Sequence, residues 1–184
     1  MGKRSDFDRI DKDYYRTFDK RAGKAIEPFL SPYTRFCEPC AGAGDLMDQL
    51  TAMGHICARA RDIEPQRDDI EQKDALTTLT GNIDCFITNP PWSRDILHPL
   101  IEFLSSQHPT WLLFDADWSH TIQAAPYMAY CAKIVSVGRL IWIPGTKMSG
   151  KDNCAWYLFD RSWQKPTEFY PRVAAKSYPI RRDE

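Results

Sequence analysis

Asn89, Pro90, Pro91 and Trp92 stand in a row directly after the apolar run 83–88. Two consecutive prolines fix their φ angles and donate no backbone N–H, so their carbonyls point outward from a rigid loop. The tryptophan adds an aromatic face. Together these groups suit methylation of an aromatic amine, whose lone pair is delocalised into the ring and must be localised before it can attack. The Asn89 side-chain carbonyl and the Pro90 backbone carbonyl could each accept one N–H, favouring a pyramidal nitrogen, so positioning and preorganised dipoles would do most of the work. Trp92 would stack on a base, a contact worth about 1–3 kcal/mol and comparable with the cost of unstacking a target nucleotide. An Asn-Pro-Pro turn can also be purely structural. Its place after a buried strand and its aromatic close favour chemistry.

A second group lies upstream. Ala41-Gly42-Ala43-Gly44 follows the run 35–40, where an α/β sheet binds ligands beyond the carboxyl end of its first strand and glycines let a ligand approach the backbone. Asp62 closes the next strand 20 residues after Gly42, a spacing at which an acid accepts bonds from ribose hydroxyls. No Gly-Lys-Ser/Thr follows the turn and no third glycine opens the helix, so the ligand expected is a nucleoside without a pyrophosphate. S-adenosyl-L-methionine meets that description, and its ammonium would need acceptors. Glu38, beside the turn, is one candidate. Asp74, in Lys73-Asp74-Ala75-Leu76, either accepts from the adenine amino group or caps a helix.

Cys37 and Cys40 form a CxxC, but a zinc site needs a second ligand pair, and His55, His98, His108 and His120 are scattered, so no metal is expected. Pro39-Cys40 has the form of a cytosine-C5 nucleophile. It lies in the cofactor turn rather than on the substrate side, which rejects that reading.

The elements that must position these groups follow from periodicity. Strands are predicted over 35–40, 55–63, 83–88, 111–114, 133–143 and 155–159, with a short one before Asp74. Helical spacing marks Leu46, Met47, Leu50 and Met53, stopped by Gly54, and also Ile96, Leu97, Leu100, Ile101 and Leu104. Strands alternating with helices predict an α/β fold with a mostly parallel, doubly wound sheet. The last two strands, joined by a loop with Pro144, Gly145, Ser149, Gly150 and Asp152, predict a hairpin and one antiparallel strand at the edge.

The 184 residues fit one domain, 1–184, with polar, mobile ends over 1–12 and 171–184. A formal net charge of −1 argues against nucleic-acid binding by bulk electrostatics and permits a local basic surface. The charged start is no signal peptide, Asp6 stands where a myristoylation site needs Ser or Thr, and no stretch is long enough to span a bilayer. A cytoplasmic, membrane-free protein with six reduced cysteines is expected.

The motifs together resemble the amino-methyltransferases, most closely the N6-adenine DNA methyltransferases, over nearly the whole chain. Residues 15–30 are similar to the segment that closes over the methionine part of the cofactor, which brings in Tyr15 and Thr17. The run 38–44 resembles the glycine motif, with Glu38, Pro39, Ala41, Gly42 and Gly44 as cofactor contacts. Asp62 and Ile63 match the ribose motif, Asp74 and Ala75 the adenine contact. Asn89, Pro90, Pro91 and Trp92 match the catalytic motif, with Asn89 also facing the cofactor. The run 152–156 resembles the hairpin region near the target base, and the motif order is the one called gamma.

The resemblance implies a Rossmann-like class I methyltransferase with an antiparallel C-terminal hairpin, using S-adenosyl-L-methionine to methylate N6 of a flipped-out adenine in duplex or single-stranded DNA. Its alternatives are an RNA base, a protein glutamine amide, or a non-catalytic cofactor-binding subunit. Members that read a defined sequence carry a long target-recognition domain, and here only a short run follows Phe159. Recognition is therefore expected from loops, a protein partner or a homodimer. Arg16, Lys20, Lys147, Lys151, Asn153 and Trp156 are the expected nucleic-acid contacts, with Arg21, Lys24, Arg172 and Lys176 as further phosphate candidates.

Overall fold

In the computed structural model, residues 15–77, 81–146 and 148–172 are described. The expected tail 1–12, most of 171–184, Lys147 and Lys176 lie outside them. The described residues form the strands β1 (Arg35–Glu38), β2 (Ile56–Asp62), β3 (Glu71–Gln72), β4 (Cys85–Thr88), β5 (Thr110–Asp115), β6 (Cys131–Gly138), β7 (Cys154–Phe159) and β8 (Glu168–Tyr170). They form a single sheet in the order β3-β2-β1-β4-β5-β7-β6-β8. Every neighbouring pair is parallel except the two that involve β7.

The order reverses between β1 and β4, so the chain winds outward in both directions from that pair. Such a switch point opens a crevice beyond the strands' carboxyl ends. The glycine turn leaves β1 there and Asn89 leaves β4 there.

Helices cover both faces. α1 (Arg21–Ile26) and α2 (Asp45–Ala52) pack on one, and α3 (Arg94–Ser105) on the other, while the short α4 (Ala125–Met128) follows 3-10 turns after β5. Alternation along β5 divides the core: Trp111 and Leu113 join Ile26, Phe36, Leu46, Leu50 and Trp156, whereas Leu112 and Phe114 join Phe86, Leu97, Leu100, Tyr157 and Phe159. Among the described residues, no helix is long and apolar enough to cross a membrane.

Two expectations need correction. The antiparallel strand β7 lies inside the sheet between β5 and β6, and the edge belongs to β8. Five of the six residues of β7 are buried, so both its faces need cover that an edge does not provide. β8 is three residues long and partly exposed, too short and polar to show as a pattern. The strand expected over 133–143 ends at Gly138, and the residues beyond it form a loop that folds back towards the crevice.

Candidate active site

The turn after β1 needs glycine for its backbone. Gly42 and Gly44 have φ of 54° and 76°, the left-handed region that side chains avoid. Asp62, at the end of β2, holds this turn: its Oδ2 accepts from the Gly42 N–H at 2.7 Å and its Oδ1 from the Glu64 N–H at 2.8 Å. A carboxylate has about four acceptor positions, so each oxygen can still accept from a ligand hydroxyl.

Glu38 is buried, and its Oε2 has no hydrogen-bond partner. Burial raises its pKa well above the usual carboxylate range; the Met47 N–H opposes the rise, and Asp62, Asp45 and Asp48 add to it. A buried carboxyl with one unpartnered oxygen, ringed by acids, fits a ligand that brings a cation, such as an ammonium.

Asp74 opens a turn after β3. Its Oδ1 accepts from the Leu76 N–H at 2.8 Å, capping a turn rather than a helix. Ala75 is partly buried against the core on the α3 side, and Ile63 stays exposed at the end of β2.

Asn89 sits just beyond β4 with its amide fully engaged. Nδ2 donates to the Tyr15 carbonyl at 3.2 Å and to Thr17 Oγ1 at 3.0 Å, while Oδ1 accepts from Trp92 Nε1 at 3.1 Å. A carbonyl only accepts and an indole N–H only donates, so these partners determine which way the amide points. Trp92 packs against both halves of the core and meets Trp142 edge-on, with centroids 5.7 Å apart. Trp142 also meets Tyr15 at 6.4 Å.

The segment before α1 is stitched across the crevice. Asp19 Oδ2 accepts from the Ile141 N–H at 3.0 Å, and Arg16 makes two hydrogen bonds to Asp45 at 2.7 and 2.8 Å. The structure thus brings together Tyr15, Thr17, Glu38, the glycine turn with Pro39 and Ala41, Asp62, and the loop from Asn89 to Trp92.

Trp142, Asp19 and Gln49 join them without having been expected. Trp142 fell within a run read as strand, so its periodicity hid it. Gln49 did leave a signal, as a polar residue on the apolar face of α2 beside Leu46, Met47 and Leu50.

The expected nucleic-acid contacts divide. Lys20, Lys151 and Asn153 are exposed. Arg16 is paired with Asp45 beside the glycine turn. Trp156 is a correction: it is 0% exposed, and its Nε1 donates to the Ala22 carbonyl at 2.9 Å, so it anchors α1 to the sheet and cannot reach a base. Burial pushes the Cys37 thiol of the CxxC up to about 12 and raises that of Cys40 as well, which disfavours the thiolate at neutral pH.

No family model matches the sequence, and no curated protein matches it. Solved structures do match. A Pyrococcus horikoshii protein assigned as an RNA methyltransferase is 14% identical over 81% of this chain and 88% of its own, with a TM-score of 0.57. The 23S rRNA methyltransferase ErmE is 15% identical over 81% of this chain and 70% of its own, with a TM-score of 0.54. The modification subunit of a type I restriction enzyme assigned in Vibrio vulnificus is 11% identical over 91% of this chain and 49% of its own, with a TM-score of 0.57. Identities this low speak for the fold. By its strand order, its switch-point crevice and these likenesses, the chain has the Rossmann-like fold of the class I methyltransferases, which use S-adenosyl-L-methionine.

Proposed function

We propose that this chain transfers the methyl group of S-adenosyl-L-methionine to the N6 amino group of a flipped-out adenine in DNA, duplex or single-stranded. The observation that carries this reading is the Asn89 amide, held by Tyr15 and Thr17 with its oxygen turned towards Trp92, next to the glycine turn. When bound, the cofactor supplies an electrophilic methyl on a sulfonium.

Glu38 would take the ammonium, Asp62 and Ile63 the ribose, and Asp74 and Ala75 the adenine, with Tyr15, Thr17, Pro39, Ala41, Gly42 and Gly44 lining the rest. Asn89 Oδ1 and the Pro90 carbonyl would accept the two N–H bonds of the target amine and aim its lone pair. The nitrogen gains the methyl and releases one proton to water, while the sulfonium becomes a thioether. Pro90 and Pro91 keep the acceptors rigid, and Trp92 would stack on the base. Because Trp92 Nε1 already donates to Asn89 Oδ1, the incoming amine either shares that oxygen through its second lone pair or displaces the indole.

A bulky aromatic at position 92 suits a base better than a glutamine amide. The resemblance in motif order favours DNA over RNA. Lys20, Lys151, Asn153 and Lys147 would contact the strand, and recognition would come from loops, a partner protein or a second copy. Incubation with labelled S-adenosyl-L-methionine and, separately, duplex DNA, single-stranded DNA, RNA or protein extract tests the reading. N6-methyladenine in DNA is the expected product; label in RNA or protein alone would overturn it.

A further inference from the structure

The Asn89 amide stands at the end of a hydrogen-bond chain that begins away from the catalytic loop. The Gly23 N–H in α1 donates to Gln49 Oε1 at 3.2 Å, and Gln49 Nε2 donates to the Thr17 carbonyl at 2.5 Å. Thr17 Oγ1 then accepts from Asn89 Nδ2 at 3.0 Å, and Asn89 Oδ1 meets Trp92 Nε1. The links at Gln49 are shielded, with Thr17 7% exposed and Gln49 8%, and those at Asn89 are partly so. A buried amide is costly unless its donors and acceptor are used, and both ends of Gln49 are used in this chain.

Gly23 shows how tightly the chain is built. It lies buried within a helix, where alanine is the better helix former. A Cβ there would stand 2.9 Å from Gln49 Oε1 and 3.3 Å from Gln49 Cβ. Alanine at this position would have to push the Gln49 amide aside.

We infer that Gln49 and Thr17 are positioning residues for Asn89, holding its amide in place from the helix that opens at the glycine turn. The inference rests on the proposed reading of Asn89 as acceptor for the target amine. Without the Thr17 hydroxyl, Asn89 Nδ2 keeps one acceptor, the Tyr15 carbonyl, and Oδ1 keeps the Trp92 N–H, so the amide loses one of three restraints on a terminal torsion that is broad by itself. The catalytic amide is thereby tied to the first helix after the cofactor turn.

The test uses the full chain with Thr17→Val, Thr17→Ser, Gln49→Leu and Gly23→Ala. Three readouts are needed: steady-state methylation of DNA, cofactor affinity by calorimetry, and the indole ¹H–¹⁵N resonance of Trp92, assigned by its loss in Trp92→Phe. Removal of a link should lower kcat about tenfold, the size expected from one lost hydrogen bond in a reacting geometry. Cofactor affinity in Gln49→Leu should stay within about twofold, a change too small to account for that loss. Thr17→Val, Gln49→Leu and Gly23→Ala should each shift the Trp92 resonance, and Thr17→Ser should restore both rate and resonance.

An unmoved Trp92 resonance in a folded Thr17→Val protein overturns the inference, as does a rate loss explained wholly by weaker cofactor binding. If Gln49→Leu does not fold, Thr17→Val and Thr17→Ser decide alone. A wild-type chain that methylates no DNA refutes the proposed activity, while the resonance still reports whether Thr17 and Gln49 set the Asn89 amide.

Discussion

At the scale of single residues, Glu38 and Asn89 carry opposite kinds of constraint. Glu38 is a buried acid whose folded pKa lies above its unfolded value. Such a group favours the fold fully below its unfolded pKa of about 4.3 and loses that contribution as the pH rises through the folded value. The ligand-free protein should therefore be more stable at pH 8 as Glu38→Gln than as wild type, by thermal melting, whereas cofactor affinity should fall about tenfold or more through loss of a charged partner. A variant that gains no stability at pH 8, or binds cofactor unchanged, contradicts the assignment of Glu38 to a cation. Asn89 is the reverse case, a neutral amide with every polar atom engaged. Asn89→Ala should cut kcat by about 10²–10³, as removal of one preorganised polar group does, with cofactor affinity nearly intact. Equal loss of both would mean that the loop is structural.

At the scale of elements, the segment before α1 and the loop after β6 meet through the Asp19 carboxylate and through the rings of Tyr15 and Trp142. Burial by itself would raise the Asp19 pKa, but hydrogen bonds from the Arg21 side chain and the Ile141 N–H outweigh it and hold it below the usual value. A depressed acid contributes stability above its unfolded pKa of about 3.9 and loses it as the pH falls through the folded value. The clasp between the two segments should accordingly weaken only below about pH 4, the range set by that unfolded value. Asp19→Ala should cost about 1–3 kcal/mol in urea unfolding, because it removes a charged acceptor from a backbone N–H. The glycine turn is the second element under constraint. Gly44→Ala should destabilise by about 1–2 kcal/mol, the cost of a side chain in the left-handed region, and weaken cofactor binding with it. Melting and calorimetry on the same variant check both, and an unchanged stability would contradict the observed φ.

Across the whole molecule, the free cysteines report how the core closes. Cys37, Cys85, Cys131 and Cys154 are buried, and burial pushes each thiol up to about 12. At neutral pH their reaction with a thiol reagent should follow unfolding of the sheet rather than thiol chemistry, so labelling should accelerate with denaturant in step with loss of helix signal. Fast labelling of the native protein at these four positions would show that the sheet opens locally.

What could be read from the residues alone was local. Apolar runs mark β4, β5 and β7 because burial requires continuous hydrophobicity, a partly apolar run before the glycine turn marks β1 and alternation marks β2, while the glycine turn and the rigid Pro90-Pro91 loop follow from backbone chemistry that neighbours do not change. What only the tertiary structure decided depends on partners far along the chain. Trp156 became a core anchor through Ala22, 134 residues away, and Asp19 found Ile141 at a separation of 122. The place of β7 inside the sheet, the arrival of Trp142 beside Trp92, and the link from Gln49 through Thr17 to Asn89 are likewise non-local. Strand order and side-chain pairing are settled by which surfaces bury one another, and periodicity records that a face is buried but not against what.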